Sequence, residues 1–282
     1  MFLYPDNCTL HPSIPMSNTQ RPYAVITGAS AGLGKTYSWQ LAGQGNDLMI
    51  VARRAEQLER LKKEIENRFP VTVDVYVADL ADEKQVAQLA EKIVSLPRLD
   101  TMINNAGFGL QKRFPNVDVE AEARMIRLHC EASMRLCQAA SDLMCRQKYG
   151  HIINVCSFAA YLTGPGAADY CATKAFLKSF SECLQDDIGE FGVKVQALCP
   201  GFVHTEFHDT AMMKGFDKNS LPGFTWMDAD YVVRTSLRAI QKKRHRVVVI
   251  PSLAYKLIYV ITHIPVISPI LAGIVKKRLK RK

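Results

Sequence analysis

Between residues 23 and 250 the chain alternates short, uninterrupted apolar runs with longer amphipathic ones, a rhythm that few folds can satisfy. The apolar runs are Tyr23–Thr27, Leu48–Ala52, Val73–Ala78, Thr101–Asn104, His151–Cys156, Val193–Leu198 and Arg246–Ile250. Between them lie helix-like segments at Leu33–Gln44, Glu56–Phe69, Glu83–Leu96, Glu120–Arg146, Ala168–Glu190 and Asp228–Lys242. In the second of these, Leu58, Leu61, Ile65 and Phe69 fall on one stripe at helical spacing. Strands that are apolar without alternation are buried on both faces, as in a parallel sheet covered by helices. Seven strands alternating with helices therefore predict a doubly wound α/β fold with right-handed crossovers. No internal repeat and no Pro/Gly/Ser-rich linker interrupts the pattern, so residues 21–250 are expected to form a single domain. Residues 1–20 carry Pro5, Pro12 and Pro15 and no long apolar stretch, which predicts an irregular arm with no secretory signal.

The net charge of +9 belongs to one end of the chain. From Lys242 to Lys282 there are eleven Lys or Arg residues and no Asp or Glu, leaving 25 basic and 27 acidic side chains in the rest. A nucleic-acid binder would spread its cations over a folded face, with aromatic side chains among them. A cationic terminus beside apolar sequence instead suits anionic lipid head groups, so no nucleic-acid partner is expected. The eight cysteines, Cys8, Cys130, Cys137, Cys145, Cys156, Cys171, Cys183 and Cys199, form no CxxC pair and no Cys/His metal spacing. They read as reduced thiols in a cytoplasmic protein, with no metal site.

The first strand runs directly into Thr27-Gly-Ala-Ser-Ala-Gly-Leu-Gly34, and a helical pattern follows. Strand, glycine turn and helix N-terminus together make an anion cradle. Glycines let the backbone approach a pyrophosphate, and free N–H groups with the helix dipole favour its charge. Gly28, Ser30, Gly32, Leu33 and Gly34 are the candidate contacts, although the spacing departs from GxGxxG. The second strand ends Ala52-Arg53-Arg54, without the acid that would accept from a ribose 2′-hydroxyl. Arg53 and Arg54 offer cations for a 2′-phosphate, which favours NADP(H) over NAD(H). Asp79, at the end of the third strand, is placed either to accept from the adenine amine or to cap the following helix.

Tyr170 and Lys174 sit one helical turn apart in Ala168-Asp-Tyr-Cys-Ala-Thr-Lys174. An ammonium near a phenol favours the phenolate, so Lys174 is expected to bring Tyr170 down toward working pH as a proton donor and acceptor for carbonyl/alcohol chemistry.

Five motifs in order carry a family resemblance: Thr27-Gly-x-x-x-Gly-x-Gly34, Asn104-Asn-Ala-Gly107, Ser157, Tyr170-x-x-x-Lys174, and Pro200-Gly201 with Thr205. Over residues 21–250 the chain resembles the short-chain dehydrogenase/reductase family. That resemblance implies a Rossmann-like domain, a nicotinamide cofactor and hydride transfer at a carbonyl carbon. It implies that Tyr170 is the acid/base, that Lys174 tunes it and holds the nicotinamide ribose, and that Ser157 bonds the substrate oxygen. Asn105, Ala106 and Gly107 would lie beside the cofactor, and Pro200, Gly201 and Thr205 would line its carboxamide. The family commonly has an asparagine in the long helix before Ser157, where its backbone carbonyl positions a water linked to the lysine. Here His129 occupies that place, either as a member of a proton relay or as a residue whose main chain alone serves. The family often assembles through its two long helices, implying a homo-oligomer, a dimer or tetramer.

Residues 202–227, where the family places its lid, include Phe202, Phe207, Phe216 and Trp226 and carry few charges. A helical lid of this kind suits a bulky apolar substrate, with some of these side chains used only in packing. Residues 251–282 form an apolar, basic tail. Leu257–Val275 approaches the length of a membrane crossing, but His263, Pro265 and Pro269 interrupt it. The tail therefore reads as an interfacial attachment, peripheral on the cytoplasmic face of a membrane, or as an extra helix packed on the lid or a partner subunit. The expected function is an NADP(H)-dependent oxidoreductase interconverting a ketone and a secondary alcohol on an acyl, sterol or sphingoid substrate. The alternative is a catalytically silent nucleotide sensor or membrane scaffold on the same fold.

Overall fold

A computed structural model describes residues 21–110, 112–209 and 223–263. Seven strands form one parallel sheet: β1 (Tyr23–Thr27), β2 (Asp47–Ala52), β3 (Val73–Val77), β4 (Thr101–Asn104), β5 (Gly150–Val155), β6 (Val193–Leu198) and β9 (Val248–Val249). Their order across the sheet is β3-β2-β1-β4-β5-β6-β9. A separate two-stranded ribbon pairs β7 (Phe202–Val203) with β8 (Trp226–Met227). The helices are α1 (Gly32–Gly43), α2 (Ala55–Arg68), α3 (Glu83–Val94), α4 (Val119–Ile126), α5 (Ser133–Gln147), α6 (Ala168–Ile188), α7 (Ala229–Gln241) and α8 (Leu253–His263).

Alternate residues of each strand feed two separate cores. Ala24 and Ile26 of β1, Leu48 and Ile50 of β2, and Ile153 of β5 pack with Leu41 of α1, Leu58, Leu61 and Ile65 of α2, and Val233 and Leu237 of α7. Val25, Met49 and Ile152 point the other way, onto Leu89 and Ile93 of α3 and Leu136, Ala140 and Leu143 of α5. Burial on both faces is why these strands carry no polar alternation.

The strand order reverses between β2 and β4 on either side of β1. At such a switch point the crossovers leave in opposite directions, and a crevice opens at the carboxyl ends of the strands. Every candidate residue from the glycine turn, the Asn104–Gly107 segment and Ser157 lies at that end.

Most element ends shift by a residue or two from the sequence expectation, and two differences bear on the site or the sheet edge. The last strand is Val248–Val249, shorter than Arg246–Ile250. The expected helix over 120–146 is α4 and α5 joined by a π-helical stretch, Arg127–Ala132. A π turn holds an extra residue, and such turns recur where a side chain must be aimed out of helical register; His129 lies in this one.

Candidate active site

Thr27 ends β1 and organises the floor of the crevice. Its hydroxyl donates to the Ile103 carbonyl (3.2 Å) and accepts the N–H groups of Asn105 (2.9 Å) and Ala106 (3.0 Å). The Asn105 amide donates back to the carbonyls of Thr27 (3.0 Å) and Gly28 (3.2 Å), so the two turns brace each other. Gly28 has φ +66°, the left-handed region. A β-carbon on Gly34 would collide with the Gly28 carbonyl oxygen and lie 2.6 Å from the Asn105 amide nitrogen. The first turn of α1 is therefore packed against backbone that no side chain could share. Its amide groups face the crevice mouth, with Leu33 partly buried beside them. These residues fit a dinucleotide pyrophosphate by close backbone approach and a positive helix end.

Arg54 closes one rim of this cradle. Its guanidinium donates to the Ser30 hydroxyl (3.0 and 3.2 Å) and lies 3.7 Å from Glu206. Arg53 is exposed. Asp79 accepts the Ala81 N–H (3.0 Å) in a local turn and is ion-paired with Arg124 of α4; it does not cap α3, whose N-cap is Asp82, accepting the Gln85 N–H. The sequence reading did not include Arg124, whose partner is 45 residues away.

Ser157 follows β5 and caps the short 3-10 turn Phe158–Tyr161, accepting the Ala159 N–H (3.1 Å). Its hydroxyl acts on the phenol of Tyr170, in the first turn of α6, favouring the phenolate. One helical turn on, the Lys174 ammonium lies 5.7 Å from the centre of the Tyr170 ring and donates to the Val155 carbonyl (3.1 Å). Lys174 is buried and Tyr170 half-buried, and burial dominates their ionisation. It pushes the Tyr170 phenol up to about 12, against the effect of Ser157, and it pushes Lys174 down. The expected lowering of the phenol by its ammonium neighbour does not enter: desolvation leads the shift, and the ammonium is aimed at the Val155 carbonyl. The sequence put the two side chains side by side, while the leading effect on the phenol is its loss of water.

His129 is buried under this pair. Its Nε2 accepts the Phe108 N–H (3.2 Å), and its Nδ1 lies 3.0 Å from the Thr173 hydroxyl, which in turn donates to the Tyr170 carbonyl (2.9 Å). The ring meets Tyr170 edge-on, with centroids 6.0 Å apart. Burial and the nearby Lys174 charge hold the imidazole well below its ordinary pKa. A proton relay needs a ring nitrogen free to pick up a proton, and both are occupied here. Gly107 is a glycine for the same reason, since a β-carbon there would lie 2.7 Å from Nε2.

Beyond β6, the Pro200 carbonyl accepts the Phe158 N–H (2.7 Å), and the Thr205 β-carbon lies 3.3 Å from where a Gly32 β-carbon would be. The lid therefore begins against the glycine turn. Of its aromatic residues, Phe207 approaches Tyr170 (centroids 6.2 Å), whereas Phe202 and Trp226 pack against each other at a tilt (5.4 Å) in the β7–β8 ribbon at the lid base. Phe216 lies outside the described residues, and the described parts of the lid are short strands and 3-10 turns, not α-helix. Tyr255 of α8 fills the space over Gly201, accepts the Phe202 N–H (3.2 Å) and donates to the Thr225 carbonyl (3.0 Å). Tyr255 also packs edge-on against Phe158, and Tyr259 against Tyr161 (both 4.8 Å). This part of the tail is the packed helix of the two alternatives, and it ties both arms of the lid to the turn carrying Ser157. Among the described residues no helix is long and apolar enough to cross a membrane.

The profile of the short chain dehydrogenase family matches residues 22–214. A short-chain dehydrogenase from Sphingobium yanoikuyae, solved in complex with NADPH, is similar with 30% identity and a TM-score of 0.77, over 92% of this chain and 95% of that one. The bulky-bulky ketone specific alcohol dehydrogenase from Comamonas testosteroni shares 27% identity at a TM-score of 0.73, over 94% and 96% of the two chains. An NADP-dependent 3-hydroxy acid dehydrogenase from Schizosaccharomyces pombe is 30% identical over 68% of this chain and 75% of its own length. The glycine turn, the tyrosine–lysine pair and these likenesses lead to one assignment: the chain belongs to the short-chain dehydrogenase family, oxidoreductases that act on CH–OH groups.

Proposed function

We propose that the chain interconverts a ketone and a secondary alcohol with NADP(H), on a bulky, hydrophobic, lipid-like substrate. The observation that carries the reading is the convergence of Ser157, Tyr170 and Lys174 at the carboxyl end of β5, with Lys174 buried and 5.7 Å from the Tyr170 ring. In reduction Tyr170 gives its proton to the carbonyl oxygen, and in oxidation it takes the proton back. Ser157 holds the same oxygen and stabilises charge developing there. Lys174 offers its remaining donors to the nicotinamide ribose and supplies the positive field in which Tyr170 reprotonates. Gly28, Ser30, Gly32, Leu33 and Gly34 hold the pyrophosphate, while Asn105, Ala106, Gly107, Pro200, Gly201 and Thr205 enclose the nicotinamide end. The bound nicotinamide supplies or accepts the hydride.

The preference for NADP(H) rests on Arg54, held at the rim by Ser30, with Arg53 beside it and no acid at the end of β2. The NADPH complex of the Sphingobium relative and the name of the yeast relative support it. Removing one charge-assisted partner predicts that Arg54→Ala raises the Kd for NADPH about tenfold to a hundredfold and leaves NADH nearly unchanged. A fluorescence titration with both nucleotides checks this, and equal weakening of the two would refute the preference. The bulky substrate is supported by Phe207 beside Tyr170 and by the ketone specificity named for the Comamonas relative. A panel of long-chain and steroid ketones with NADPH tests that half; turnover confined to small polar ketones would overturn it.

Residues 21–250 serve as the catalytic domain and residues 251–282 as an attachment segment. The outer face of α8 exposes Leu253, Leu257 and Val260, and the sequence ends in Lys276, Lys277, Arg278, Lys280, Arg281 and Lys282. Such a face followed by cations suits peripheral contact with an anionic membrane, read by co-sedimentation with vesicles with and without phosphatidylserine. Exposed Met134 of α5 and Phe176 of α6 suit assembly through the long helices into a dimer or tetramer, read by light scattering.

A further inference from the structure

The hydrogen bonds around His129 have a single consistent direction. Phe108 offers only an N–H, so Nε2 must be the bare nitrogen. The ring proton is then on Nδ1 and is donated to the Thr173 hydroxyl. That hydroxyl accepts from His129 and donates to the Tyr170 carbonyl, which completes a chain from the turn after β4 to the first turn of α6. The ring is buried, it lies edge-on to Tyr170, and Gly107 leaves it the space it occupies. Protonating Nε2 would set two N–H groups against each other.

We infer that the side chain of His129 is a positioning residue: as the neutral Nδ1–H tautomer it locks the Asn104–Phe108 turn onto the helix that carries Tyr170 and Lys174. The family's asparagine at this place is credited through its backbone carbonyl, whereas here the side chain joins the cofactor wall to the catalytic helix. The two ring nitrogens have separable duties. Nε2 fixes the backbone of the turn that contains Asn105, Ala106 and Gly107. Nδ1, through Thr173, fixes the height of Tyr170 over the crevice. The kinetic side of this inference rests on the oxidoreductase reading of the same site.

Two substitutions divide the duties. His129→Asn keeps a donor near the Nδ1 position and loses the reach to Phe108. His129→Gln keeps an acceptor near the Nε2 position and loses the bond to Thr173. The expected result is a split: His129→Asn raises Kd and KM for NADPH about tenfold with kcat within about twofold, and His129→Gln lowers kcat about tenfold with NADPH affinity within about twofold. Tenfold is the scale of one neutral hydrogen bond. Parallel loss of both quantities in both variants, no change in either, or an acid limb of the pH profile that disappears in both would overturn the inference, the last by making His129 a relay. The tautomer is read on the wild-type protein, so the test does not depend on the variants folding. Long-range ¹H–¹⁵N correlations should show Nδ1 protonated and Nε2 bare around neutral pH, and a proton on Nε2 would refute it. If the wild type turns over no ketone, the functional reading fails, while the tautomer and the NADPH affinities still decide the role of His129.

Discussion

Tyr170 and Lys174 face each other across one turn of α6, yet each is governed more by its loss of water than by the other. A phenol pushed up to about 12 stays protonated at neutral pH, which suits a donor in the direction of ketone reduction. Replacing it with phenylalanine keeps the ring, its packing on His129 and the helix, and removes only the hydroxyl that carries the proton. Tyr170→Phe should therefore lower kcat by about a hundredfold to ten-thousandfold, with NADPH affinity within about twofold. Steady-state assays beside a fluorescence titration decide it, and a variant of near-normal rate would exclude Tyr170 as the acid. At this scale the sequence displayed the residues to which the proposed chemistry is assigned, because Ser157, Tyr170 and Lys174 are reactive types at a telling spacing. It concealed the residues that act through bonds. Thr27 looks like any strand-end threonine, and Thr173 like a spacer in Tyr-x-x-x-Lys. Neither hydroxyl's partners, up to 79 residues away for Thr27, leave a mark in local sequence.

Elements were legible where burial alone fixes them. Strands β1, β4 and β6 have the expected bounds because each is largely buried and packed on both faces. The single long helix expected before Ser157 was wrong in its middle, since the π stretch depends on how His129 seats between the Phe108 backbone and α6, not on helical periodicity. The lid and the tail were legible only as apolar, and periodicity does not distinguish Phe207 near the tyrosine from Phe202 and Trp226 packed at the base. Two element-scale predictions follow from contacts that cannot relax. Gly34→Ala puts a methyl group into the Gly28 carbonyl and the Asn105 amide, both of them held by other bonds. It should reduce NADPH affinity more than tenfold or abolish soluble expression, and normal binding would show that the turn is looser than described. Asn154 of β5 joins three elements: it donates to Ser181 of α6 (2.9 Å) and accepts from Asn104 of β4 (2.9 Å), with Cys137 of α5 at 3.4 Å. Asn154→Ala leaves buried polar partners without bonds and should cost about 2–4 kcal/mol, measured by urea unfolding.

For the molecule as a whole, two cores hold a sheet whose switch point is where the chemistry converges, and the buried imidazoles tie stability to pH. His129 is held well below its ordinary pKa and His151 is lowered to about 4, in both cases chiefly by burial. The folded state therefore disfavours their protonation, while the unfolded chain takes up protons near pH 6.5. Their stabilisation is complete above about pH 6.5 and is lost as pH falls, for His151 down through about 4. The urea midpoint should hold steady from about pH 8 to 7 and decline from about 6.5 to 5, before most carboxylates titrate. His129→Asn should flatten that decline, and an unchanged slope would mean that the imidazole is not held neutral in the fold. The central claim is that this crevice transfers a hydride between NADP(H) and a ketone carbon, with Tyr170 supplying the proton. The most direct test incubates the protein with NADPH deuterated at the transferring position and a panel of bulky ketones, then analyses the products by mass spectrometry. The account predicts an alcohol carrying one deuterium on the carbinol carbon with the wild type and none above background with Tyr170→Phe. NADPH bound at normal affinity with no deuterium delivered to any ketone would contradict it.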